Sequence, residues 1–167
     1  MKKFNTALIG YAFLVSVSSP LLAQELILGA GFADFSSGIS EDGGMISAEY
    51  HHTPFYENDR LSVQLGGALS AHFTGDFHIG VGVAGAYQLQ NQWFLEGSVM
   101  PGAYYENEDD NGLGSTFEIR SLFAVGRRLK NGSAISVGLT HKSNASTASY
   151  NPGVNSLLLR WHAPLKR

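Results

Sequence analysis

A period-two alternation running from residue 25 almost to the C-terminus constrains this chain more than any other feature. From Phe77 the odd positions are Phe77, Ile79, Val81, Val83, Gly85, Tyr87 and Leu89; the even positions between them are His78, Gly80, Gly82, Ala84, Ala86 and Gln88. From Leu61 the same split separates Leu61, Val63, Leu65, Gly67 and Leu69 from Ser62, Gln64, Gly66, Ala68 and Ser70. Successive side chains of a strand point to opposite faces, so each run has one greasy face and one small or polar face. The greasy faces carry no Asp, Glu, Lys or Arg through their middles, whereas Glu96, Glu118, Arg120 and Arg160 all fall on the opposite parity.

Eight such runs lie near 25–35, 44–54, 61–73, 76–89, 93–105, 115–129, 133–143 and 154–163. Hairpin chemistry separates several of them: Glu41-Asp42-Gly43-Gly44, Thr74-Gly75-Asp76, Asn111-Gly112 and Asn131-Gly132. Asn or Asp before Gly suits the positive φ of tight turns. No internal repeat or linker splits the chain, so 167 residues form one domain.

Two architectures share this alternation. A soluble sandwich or lipocalin-like barrel turns the greasy face inward and wets the other. A membrane barrel does the reverse, and a cationic side chain at its lipid midplane costs about 2–4 kcal/mol, which accounts for the missing charges. The non-greasy face here is mostly Gly, Ala and Ser, which suits a cramped lumen better than a solvated surface. The expected fold is therefore an all-β, eight-stranded antiparallel outer-membrane barrel, closed because unpaired backbone groups in lipid each cost several kcal/mol. Eight strands leave a lumen filled by side chains, so a porin is excluded. With both termini periplasmic, the acidic segment Glu106-Asn107-Glu108-Asp109-Asp110 and the connector from Asn144 to Gly153 face the cell exterior.

The N-terminus fits export. Lys2 and Lys3 precede an apolar run from Ala7 to Val17, and small residues lead to Ala23, the layout of a signal peptide over residues 1–23. The mature barrel then occupies 24–167, with 9 basic against 14 acidic residues, a poor balance for nucleic-acid binding. Zero Cys removes disulfides, thiolate nucleophiles and Cys-based zinc sites. No other stretch approaches the 18 apolar residues of a membrane helix.

On the seventh run, Ile135, Val137, Leu139, His141 and Ser143 share the greasy parity; on the eighth, Asn155, Leu157, Leu159 and Trp161 do. A hairpin between them sets Asn155 beside the outer end of the seventh strand. His141, Ser143 and Asn155 should therefore cluster on the outer wall. A Ser hydroxyl becomes a useful nucleophile when a His takes its proton and a third group holds the imidazole in the right tautomer, a role that Asn can fill. Asn144, or backbone amides just after it, could donate to an oxyanion. A substrate reaching this wall comes sideways from the bilayer, so its scissile bond should be an acyl ester of a lipid. Set against this, His, Ser and Asn are common where strands meet loops. The histidines elsewhere argue against a metal: His51 and His52 point to opposite faces, and His72, His78 and His162 stand singly.

His141-Lys142-Ser143-Asn144-Ala145, followed by Asn151-Pro152-Gly153-Val154-Asn155-Ser156-Leu157, resembles the motif of the PagL-type lipid A 3-O-deacylases, His-x-Ser-Asn-Ala/Gly and then a second strand with the third catalytic residue. The resemblance implies an eight-stranded outer-membrane barrel that needs no cofactor or metal and hydrolyses the acyl ester at the 3 position of lipid A, with lipopolysaccharide as its partner. The best-known members carry Glu as the third residue, where Asn155 stands here. Asn at that spacing also resembles the calcium-dependent outer-membrane phospholipase A family, whose twelve-stranded barrel needs a longer chain. A third reading is a barrel without catalysis that only packs or shields the membrane.

Overall fold

The computed structural model describes residues 24–165; the leader expected over 1–23 lies outside them. The strands are β1 (Glu25–Phe35), β2 (Gly43–His51), β3 (Tyr56–Glu57), β4 (Leu61–His72), β5 (Phe77–Gln88), β6 (Trp93–Tyr105), β7 (Phe117–Arg128), β8 (Ala134–Ser143) and β9 (Val154–Pro164). A short 3₁₀ turn spans Asp109–Asn111. Hydrogen bonds order the sheet β2-β1-β9-β8-β7-β6-β5-β4, and pairing of β2 with β4 closes the ring. Eight antiparallel strands thus form the barrel, leaving no edge among them.

β3 is the departure from the eight expected runs. The run expected to reach residue 54 stops at His51, because Pro54 has no N–H to give the ladder. The chain then regains the same neighbour, pairing Tyr56 with Val63 and Glu57 with Ser62, so β3 extends β2 past a break. Asn58 turns it back, its Oδ1 accepting from the backbone N–H of Arg60 and Leu61.

The charge-free faces point outward. Val81 is 70% exposed and Leu159 65%, while Glu118 and Arg120 on the other parity are at 0% and 1%. A soluble barrel would show the opposite. Aromatics mark both rims of this apolar belt: Tyr87, Trp93 and Trp161 near the end where Glu25 pairs with Pro164, and Phe73, Phe77, Tyr105 and Phe117 near the other. Amphipathic rings in two girdles suit two membrane–water boundaries.

Buried ion pairs cross the lumen. Arg120 Nη2 lies 2.6 Å from Glu49 Oε1, joining β7 to β2 on the opposite wall, and Arg160 Nη2 reaches Glu96 Oε1 at 2.7 Å and Glu49 Oε1 at 3.2 Å. Lys142 Nζ donates to His72 Nε2 at 2.8 Å, again from wall to wall. His162, solitary in the sequence, sits between Glu25 Oε2 and Ser136 Oγ. The centre is filled by side chains.

The connectors 36–42, 73–76, 106–116 and 144–153 gather at the end away from the termini and bind one another. Leu113 is fully buried beneath them with Phe35, Met45, Tyr104 and Val154. At its centre, Asp76 accepts hydrogen bonds from Thr74 Oγ1, Asn111 Nδ2 and the backbone amides of Asn107 and Glu108. Burial alone would raise the Asp76 pKa, but these donors outweigh it and hold the carboxyl below its ordinary value.

Candidate active site

β8 and β9 alternate between buried and exposed residue by residue, so side chains two apart share a face. His141 on β8 and Asn155 on β9 are both exposed and directly paired in register. His141 Nδ1 lies 2.9 Å from Asn155 Oδ1. A carboxamide oxygen only accepts, so Nδ1 carries the proton and the lone pair of Nε2 is left to act as a base. The expected meeting of His141 with Asn155 is therefore present.

Ser143 follows on the same outward parity, half-buried at the tip of β8. The hydrogen bond of His141 goes to Asn155, and Ser143 Oγ is not joined to the ring. Such contacts are commonly long without substrate and tighten in the reacting complex.

The register places this group in a lateral row: Asp34 on β1, Asn155 on β9, His141 on β8 and Ser121 on β7. The next outward row toward the termini is Phe32, Leu157, Leu139 and Phe123, each more than half exposed. A polar row with Ser143 beside it thus stands at the upper rim of an apolar wall. An acidic cleft of about 640 Å³ between Glu106, Asp109, Asp110 and Tyr150 has none of His141, Ser143 or Asn155 in its lining.

Asn144 has other work than the expected donation to an oxyanion. It is fully buried, with Nδ2 donating to Leu113 O at 3.0 Å and Tyr150 O at 2.8 Å, and its backbone N–H donating to Asn151 Oδ1. Both carboxamide protons are spent on holding the loops. Immediately after it, Ala145 and Ser146 take φ of 53° and 63°. Two consecutive non-glycine residues in the left-handed region cost about 1–3 kcal/mol each, strain that clusters at functional loops.

Gly153, present in the motif but given no role there, lies against the candidate histidine. Its φ is +75°, and a Cβ there would lie 2.9 Å from His141 Cε1, so the loop backbone backs onto the imidazole through the space a side chain would fill. Asn-Pro-Gly just before β9 was the available signal for a left-handed turn.

For metals, among the described residues two lumen groups bring ligand atoms within 4.8 Å of one another: Glu25, Glu96 and His162, and Glu49, His51 and Glu96. Arg120 and Arg160 already supply positive charge to Glu49 and Glu96, and Arg128 to Glu25, and both groups lie on the inner side of the sheet, away from Ser143.

By sequence, no curated protein matches the chain. Among solved structures it is similar to the crystal structure of the outer membrane enzyme PagL, with a TM-score of 0.70 at 17% identity, covering 84% of this chain and 99% of that one. It is also similar to Neisserial surface protein A, with a TM-score of 0.57 at 11% identity, covering 86% and 97%. At these identities the likenesses speak for the barrel alone. The family profile described as lipid A 3-O-deacylase (PagL) matches residues 42–164, a stretch that holds seven of the eight barrel strands and the whole of the β8–β9 hairpin, and on that match the chain belongs to the lipid A 3-O-deacylase family.

Proposed function

We propose that this protein resides in the outer membrane and removes the acyl chain esterified at the 3 position of lipid A, with Ser143 as nucleophile, His141 as general base and Asn155 as its orienter. The observation that carries the reading is the 2.9 Å His141–Asn155 hydrogen bond on the apolar outer wall. It leaves a basic nitrogen at the height where an acyl tail entering sideways would meet a headgroup.

In this mechanism Nε2 of His141 takes the Ser143 hydroxyl proton as Oγ attacks the ester carbonyl. The tetrahedral intermediate collapses when His141 returns the proton to the departing sugar 3-oxygen, leaving an acyl-serine. Water, deprotonated by the same imidazole, then attacks the acyl carbon, and Ser143 leaves with its proton restored. Base assistance is worth about two to four powers of ten, and each oxyanion donor about two to three. The donor falls to the Asn144 segment: the Asn144 carboxamide protons are engaged by Leu113 O and Tyr150 O, which leaves the backbone amides of Ala145 and Ser146 as the candidate oxyanion donors. Phe32, Leu157, Leu139 and Phe123 form the wall along which the fatty chain lies.

The test is mass spectrometry of lipid A after incubation with detergent-folded protein. Wild type should remove one 3-linked chain; Ser143→Ala and His141→Asn should release at least about a thousandfold less. Conversion of phospholipid to lysolipid with lipid A untouched would replace this reading with a phospholipase. No turnover of either lipid would leave a structural barrel.

A further inference from the structure

Carboxylates avoid the outward face of the barrel, with one exception. Among the 14 Asp and Glu residues, Glu25, Glu49, Glu96 and Glu118 lie on the inward parity, Glu57 lies on β3, and all others but Asp34 sit in connectors. Asp34 is exposed on the outer face of β1, between the exposed Phe32 and the end of the strand. It pairs in register with Asn155. The only carboxylate on the outer wall of the eight strands therefore stands next to the residue that holds the candidate base.

We infer that Asp34 is a positioning residue for His141: as the imidazolium forms on deprotonation of Ser143, the Asp34 side chain turns to accept a hydrogen bond from Asn155 Nδ2 and lends its negative charge. The inference rests on the reading of Ser143 and His141 as nucleophile and base.

The geometry of a carboxamide supports it. Asn155 turns Oδ1 toward His141 on β8, leaving the two N–H donors of Nδ2. β9 lies between β8 and β1, so the side away from the histidine faces Asp34. Paired residues on one face have Cβ atoms about 4.5–5.5 Å apart, within hydrogen-bond reach for Asn and Asp side chains. In the structure Asp34 makes no hydrogen bond or ion pair with any described residue, Asn155 included, and Asn155 Nδ2 makes none either, so both groups are free to meet. A neutral carboxamide can fix the tautomer of an imidazole but cannot balance its charge; an acceptor beyond it can do both.

Among the described residues around His141, nothing else on this wall supplies that charge. Toward His141 the outward positions of β7 are Ile119, Ser121 and Phe123, those of β9 are Asn155 and Leu157, the remaining near neighbour on β8 is Leu139 besides Ser143, and the loop presents Gly153. Lys142, Arg120 and Glu118 are buried on the other side of the sheet.

The experiment compares wild type, Asp34→Asn, Asn155→Glu and the double variant in detergent, with folding checked by heat-modifiable gel migration. Two readouts are taken: the pH dependence of kcat and KM on lipid A, and the pH midpoint of the His141 ring signal in NMR, assigned with His141→Gln. Asp34→Asn should lower kcat about tenfold with KM within twofold, move the acid limb of the profile to lower pH and move the NMR midpoint the same way. In the Asn155→Glu background, where the charge touches the ring directly, the same change should cost less than twofold. An Asp34→Asn protein with an unmoved His141 midpoint overturns the inference whether or not lipid A is cleaved. Absent deacylation by wild type would refute the lipid A reading instead, since the NMR comparison needs no turnover.

Discussion

At the scale of single residues, parity decides what the sequence can disclose. His141, Ser143 and Asn155 were legible because a two-residue period fixes which side chains share a wall, and that wall was identified by its lack of charge. Asn144 was not legible. Its adjacency to Ser143 suggests a donor, but its side chain leaves the strand register and turns beneath the loops, where it satisfies two backbone carbonyls. Gly153 was missed for a related reason, since its value lies in an absent Cβ beside an imidazole that is distant in sequence. Gly153→Ala must either push on His141 Cε1 or give up its +75° φ. The expected result is a fall in kcat of at least about tenfold with barrel folding retained, because a base displaced by even an ångström loses about a hundredfold. A Gly153→Ala enzyme with full kcat would show that the loop does not position the ring.

At the scale of elements, the strands followed from alternation almost to the residue, and the errors fell where backbone chemistry overrides it. Pro54 ended β2 early and produced β3, a two-residue strand that no hydropathy pattern announces. The outward orientation of each strand has a direct test in β5. Val81 is 70% exposed at mid-strand, and Val81→Arg would be nearly neutral on a water-facing surface but should destabilise a lipid-facing one by about 2–4 kcal/mol, read from urea unfolding in lipid vesicles. The turn before β5 carries a pH dependence. The carboxyl of Asp76 is held below its ordinary value of 3.8, so its contribution is fully present above that pH and is lost as pH falls through the lowered value. Hydrogen exchange at the Asn107 and Glu108 amides, which donate to it, should accelerate relative to intrinsic rates on acidification below about pH 4. Asp76→Asn should remove that pH dependence; wild-type protection that is flat through this range would show that the turn is held by other contacts.

At the scale of the molecule, the chemistry is on the outside and the rigidity on the inside. The presence of Glu96, Glu118, Arg120 and Arg160 in the lumen could be read from parity, but their partners could not, because which residues meet across a barrel depends on the stagger of all its strands. Closure brings Glu49 of β2 between Arg120 of β7 and Arg160 of β9, and Arg160 in turn to Glu96 of β6. Four walls are thereby tied through one chain of charges, and His141, Ser143 and Asn155 ride on two strands, β8 and β9, whose inward residues Lys142 and Arg160 belong to this interior. A buried pair is weak evidence for stability in itself, since its attraction competes with desolvation, but removing one member leaves a charge with no counterpart. Arg160→Met strips the shared cation from both Glu49 and Glu96 and should cost about 3–5 kcal/mol. Adding Glu96→Gln to that variant removes one stranded charge and should recover a good part of the loss, as measured by equilibrium unfolding in vesicles. If the double variant were instead as unstable as the sum of the singles, the carboxylates would be held independently, and the lumen would be a set of separate pairs rather than a network that stiffens the wall carrying His141, Ser143 and Asn155.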